Sequence, residues 1–114
     1  MALFDKARRQ EVKLAMSVVS WGEVVYTLAK RFGLAKTITD LKTLAPIVET
    51  VAADEDAAQG AASIKHNDKL GYADSFAAEL AMRWDATLVT ADPDFAKLGK
   101  RLKLMALARY SPRT

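Results

Sequence analysis

Four short apolar runs, set apart by segments of helical periodicity, limit what this chain can fold into more than any other feature. LAMSVV (14–19), IVETVA (47–52), ATLVTA (86–91) and LKLMALA (102–108) have the length of buried strands. Between the first two, Trp21, Val24, Val25, Leu28 and Phe32 recur at helical spacing as far as Gly33, and Ile38, Leu41 and Ala45 do so before Pro46. An Ala-rich helix follows Asp54, another runs from about Tyr72 to Trp84, and Pro93 opens a short one. Residues 2–10 read as a short helix with Leu3, Phe4 and Ala7 on one face. This alternation predicts an α/β fold with a mostly parallel sheet covered by helices on both faces. Such sheets gather functional groups at the carboxyl ends of their strands, where helix N-termini also point. The sequence has no internal repeat, low-complexity stretch or linker.

At 114 residues the chain predicts a single domain, 1–114, since a second core would be too small to hold together. With 51% hydrophobic and 27% charged residues it has an ordinary globular composition. Charges interrupt every apolar stretch before it reaches membrane-spanning length, and MALFDKARRQ lacks the apolar centre of a secretory signal. The expectation is therefore a cytoplasmic protein with no membrane role. Without cysteines, disulfides and thiolate metal sites are excluded. The net charge of +3 is unevenly spread. Residues 97–114 hold Lys97, Lys100, Arg101, Lys103, Arg109 and Arg113 with no acid, whereas most acids fall within 43–96. This pattern suits either a polyanion held by its backbone beside an anionic pocket or a plain solvated surface.

Three acids stand at helix openings. Glu23 follows the first strand in Ser20-Trp21-Gly22-Glu23, Asp74 lies in the opening turn of its helix, and Asp92 follows Leu88-Val89-Thr90-Ala91. Each has a structural explanation: a capping box for Ser20 and Glu23, the helix dipole for Asp74, and an N-cap before Pro93 for Asp92. As a set they carry a second meaning. Parallel topology would bring them to one end of the sheet, where three carboxylates repel one another until a hard cation such as Mg²⁺ or Mn²⁺ binds them. Ala77, Ala78 and Ala81 leave space around Asp74.

In order and spacing, WGEVVYTLAKRFG (21–33), GYADSFAAELA (71–81) and LVTADPDF (88–95) resemble three acidic motifs of PIN domains, most closely those of bacterial VapC-type toxins. The resemblance runs from about Leu3 to Leu107 and is most specific in the last two motifs. It implies a three-layer α/β/α sandwich and a Mg²⁺- or Mn²⁺-dependent ribonuclease that hydrolyses RNA phosphodiester bonds, with a cognate antitoxin protein as partner. Carried onto this chain, the catalytic metal ligands are Glu23, Asp74 and Asp92, with Asp94 a neighbour acting through water. Thr90, Lys97, Lys100 and Arg101 are the candidate substrate contacts.

The chain departs from the family pattern in lacking the first, central strand and the acid that ends it. Asp5, in ALFDKARR, does not replace that acid, because no strand precedes it. The 114-residue form is therefore expected to be truncated relative to the family and to cleave RNA weakly or not at all, with activity in a form extended upstream. Loss of an inner strand would expose two strand edges and about five apolar side chains, at roughly 1.5–3 kcal/mol each. A homodimer is expected to cover them, with direct pairing of 14–19 and 86–91 as an accompaniment or alternative. Two other readings remain. One is a non-catalytic fragment acting as a binding or assembly module. The other is a phosphoacceptor switch, which would need a further acid pair after a first strand and a lysine after the last. His66 reads as a polar helix end, Trp21 and Trp84 as core packing, Met16, Met82 and Met105 as filler, and Lys30, Arg31 and Lys36 as a solvated turn.

Overall fold

A computed structural model describes residues 2–90 and 92–106. The expected basic positions Arg109 and Arg113, and the end of the 102–108 run, lie outside these residues. The chain divides into two compact units, Met1–Ala53 and Asp54–Thr114.

The first unit contains α1 (Ala2–Arg8), β1 (Leu14–Ser17), α2 (Val18–Phe32), α3 (Leu34–Leu41), a 3-10 turn (Lys42–Leu44) and β2 (Val48–Val51). β1 and β2 pair in parallel, with Leu14 opposite Val48 and Ser17 opposite Val51. The α2 helix begins earlier than its apolar periodicity suggests, because the Ser17 side chain accepts the Val19 N–H at 3.2 Å and acts as the N-cap. Ser20 and Glu23 therefore lie inside the helix. The expected capping box is not made, since a hydroxyl one turn upstream already terminates the helix.

Gly33 separates α2 from α3 at φ 87° and ψ 148°, donating to the Ala29 carbonyl and accepting from the Thr37 N–H. Side chains rarely adopt that backbone conformation, although a Cβ there would meet no atom within 4 Å. Gly33→Ala is therefore expected to cost about 1–3 kcal/mol through backbone strain alone. Thermal denaturation checks this; an unchanged melting temperature would show that the turn adapts.

The second unit contains α4 (Glu55–Asp68), α5 (Tyr72–Arg83), β3 (Thr87–Thr90), a 3-10 segment (Pro93–Arg101) kinked at Gly99, and β4 (Lys103–Ala106). Asp54 caps α4 by accepting the Ala57 N–H at 2.9 Å. Small residues let α4 and α5 approach closely: Ala57, Ala61, Ser75 and Ala78 are buried, and a Cβ on Gly60 would lie 2.9 Å from Glu79 Cγ. α5 ends in a Schellman turn, with the Ala86 N–H donating to the Ala81 carbonyl at 2.8 Å and the Asp85 N–H to the Met82 carbonyl at 3.2 Å. Asp85 takes the left-handed position at φ 51°, where glycine is commoner.

β3 and β4 are parallel, with Thr87 opposite Lys103 and Thr90 opposite Ala106. Ile64, Leu70, Ala78, Ala81, Phe95, Leu98 and Leu102 form the core of this unit, with Ala77 and Leu88 packed against it. All described strand pairing is parallel, as the alternating periodicity predicts. β1 bonds to β2 and β3 to β4, each with the next strand along the chain. Met82, Trp84 and Met105 are 38%, 40% and 49% exposed, so they do not fill the core as their apolar character suggested.

Candidate functional site

The strongest local geometry lies where β3 leaves its sheet. The Thr90 hydroxyl accepts the Asp92 N–H at 3.0 Å, and one Asp92 carboxylate oxygen accepts the Asp94 N–H at 2.9 Å. Asp92 is thus the N-cap of the 3-10 segment, with Pro93 in its first turn, where a missing N–H costs nothing. Thr90 holds the backbone of Asp92, and Asp94 is exposed in the first turn beyond it.

Asp74 lies in the first turn of α5 and is half-buried. Gly71 has no side chain with which to cap α5, and the negative charge of Asp74 stands in the first turn, where the helix dipole favours it. α5 packs against β3, and the Schellman turn joins them over a few residues. The chain therefore runs down α5 and back along β3. Asp92 follows β3 on that return leg. Glu23 belongs to the first unit, where it is exposed on α2 after the carboxyl end of β1.

All these donors are carboxylate oxygens, the ligand type that hard divalent cations prefer. Among the described residues, no group of three or more His, Cys, Asp or Glu side chains is arranged to hold a metal ion.

Lys97 and Lys100 are exposed on the 3-10 segment. Arg101 is engaged differently: its guanidinium meets Asp68 Oδ1 at 2.6 Å and donates to the Leu98 carbonyl at 3.0 Å. Asp68 is only 12% exposed at its side chain, so this pair ties the end of α4 to the end of the 3-10 segment. Sequence reasoning missed that partner, which lies 33 residues away, where periodicity carries no signal. It also passed over a cavity of about 480 Å³ lined by Ala62, Lys65, His66, Lys69, Leu70 and Tyr72. The clue available was the run of basic residues ending α4 just before a tyrosine.

Comparison with known proteins places these motifs in a wider frame. The model of the PIN domain family matches residues 2–101. A search of the curated proteins finds no match. Among solved structures, VapBC-1 from nontypeable Haemophilus influenzae aligns at a TM-score of 0.72 with 16% identity, covering 93% of this chain and 85% of that one. DNA-bound VapBC from Salmonella typhimurium aligns at 0.67 with 16% identity, covering 81% and 74%. VapBC2 from Rickettsia felis, bound to a DNA fragment from its promoter, aligns at 0.66 with 19% identity, covering 82% and 74%. At these identities the likeness is one of fold.

Proposed function

The chain belongs to the PIN domain family, and on that ground we propose that it is a divalent-metal-dependent ribonuclease, the toxin of a toxin–antitoxin pair. The observation carrying this reading is the motif set itself: Asp74 opens α5 and Asp92 caps the segment after β3, within the residues that match the family. We assign Glu23, Asp74 and Asp92 as the metal-ligating carboxylates, with Asp94 as their neighbour, and Mg²⁺ or Mn²⁺ as the ion. When bound, such an ion supplies Lewis acidity and lowers the pKa of its water. The chain's own residues then hold the parts in place. Thr90 fixes the backbone of Asp92, and exposed Lys97 and Lys100 meet phosphates of the RNA strand. Arg101 supports this basic segment through Asp68 while half-exposed itself. Hydrolysis adds water across one P–O bond, leaving a phosphate on one fragment and a hydroxyl on the other.

A cognate antitoxin and a second copy of the chain are the proposed protein partners. The VapBC likenesses support the first. Both find support in α2, a 15-residue helix with no buried residue. Tyr26 and Phe32 on this helix are 65% and 52% exposed, and Leu34, which opens α3, is 57% exposed. Large apolar side chains left exposed in number are available for protein contact. Light scattering at low micromolar concentration checks the homodimer, and a clean monomer would remove it.

The enzymatic reading is tested by incubating the protein with a labelled single-stranded RNA in Mn²⁺, in Mg²⁺ and in EDTA. Weak cleavage confined to the metal-containing reactions is the expected result. The competing reading, a non-catalytic binding module, predicts intact RNA in all three.

A further inference from the structure

The cavity at the carboxyl end of α4 has a composition that none of the roles above uses. Its polar lining consists of Lys65, His66, Lys69 and Tyr72, and its floor includes buried Leu70. No carboxylate lines it. The nearest acid along the chain, Asp68, is committed to Arg101 at 2.6 Å. Lys65 donates to the Leu70 carbonyl at a long 3.4 Å, which holds its ammonium beside the turn and leaves its other protons available. His66 and Lys69 make no hydrogen bond or ion pair with another side chain among the described residues.

Basic residues in the last turn of a helix also offset its dipole, and Lys65 and His66 satisfy that description. Helix-dipole compensation explains neither Lys69, which stands beyond the helix at φ 61°, nor the aromatic wall. Tyr72 is 49% exposed, and its ring meets Phe76 edge to face at 4.9 Å between centroids. That contact fixes the ring while leaving about half of the residue open to solvent. Cationic groups beside a fixed, exposed aromatic ring form the pattern that binds single-stranded nucleic acid, with phosphate on the cations and a base on the ring. The position is also suggestive, because Tyr72 is the first residue of α5 and Asp74 lies two residues further on.

We propose that this cavity is a nucleotide subsite for the RNA strand, in which Lys65, His66 and Lys69 hold a phosphodiester and Tyr72 stacks a base. The proposal rests on the ribonuclease reading for the identity of the strand. It adds a binding surface that the acidic motifs do not contain.

The test is equilibrium binding of a fluorescent single-stranded oligoribonucleotide in EDTA over a range of salt concentrations, so that cleavage plays no part. The Lys65→Gln/Lys69→Asn double variant is expected to weaken binding about fivefold or more and to flatten the salt dependence by about one to two counterions. Asn suits the left-handed backbone at 69. Tyr72→Ala is expected to weaken binding to a similar degree through lost stacking, and Tyr72→Phe to restore it. Unchanged melting temperatures show that the fold is kept.

Equal affinity and salt slope in wild type and double variant would overturn the subsite while leaving the ribonuclease reading intact. A wild type that ignores RNA but binds inorganic phosphate or adenosine monophosphate in a Lys65-dependent way would also overturn the subsite, making the cavity a site for free anions.

Discussion

Asp74→Asn is expected to bring the weak metal-dependent RNA cleavage of this protein down to background while leaving the fold in place. The substitution keeps the side chain's size and removes its charge. Asp74 is half-buried in the first turn of α5, where its charge contributes about 0.3–1 kcal/mol through the helix dipole. A melting temperature lowered by at most a few degrees, together with cleavage lost at every Mn²⁺ concentration, separates a ligand from a helix-capping acid. Cleavage that falls only in proportion to stability would assign Asp74 to the helix alone.

The second large effect is on stability. Leu98 is 2% exposed and sits among Ile64, Leu70, Ala78, Ala81, Phe95 and Leu102. Leu98→Ala removes buried methyl groups and leaves a cavity in a close-packed unit, a change that costs about 2–5 kcal/mol. Small domains are stable by only about 5–15 kcal/mol, so this is a large share of the total. The consequence reaches the site, because Leu98 anchors the 3-10 segment that carries Asp94, Lys97 and Lys100. Chemical denaturation followed by circular dichroism is the measurement. A loss below about 1 kcal/mol would mean that the segment is not held by this core.

The sequence reveals the parts of this protein whose signals are local. The helix expected from Tyr72 to Trp84 is found at Tyr72–Arg83, and the Asp54 and Asp92 caps occupy their expected positions. Each depends on residues within one helical turn. Competition between nearby caps is harder to read. Ser17 and Ser20 can both cap a helix, and Ser17 does so because the strand ends there, which turns Glu23 into an exposed residue of the helix interior. The Schellman turn is formed with Asp85 where a glycine would have announced it.

Long-range pairing is invisible at this level. The sequence marks Arg101 as a candidate substrate contact, and its contact with Asp68 becomes evident only when the ends of α4 and the 3-10 segment are brought together. The cavity at Lys65, His66, Lys69 and Tyr72 depends on a turn that returns the chain to form its aromatic wall. For the acids, the motif identities were legible from sequence because residue order and spacing carry them. What each carboxylate touches was not.

Binding of Mn²⁺, followed by the loss of its free-ion paramagnetic resonance signal on titration with protein, tests the central claim most directly, because it reads the proposed ligands without RNA. The wild type is expected to take up the ion saturably, and the Glu23→Gln/Asp74→Asn/Asp92→Asn variant is expected to lose that uptake while melting cooperatively. Equal uptake by both proteins, or none by the wild type, would contradict the assignment of these three carboxylates as a metal centre.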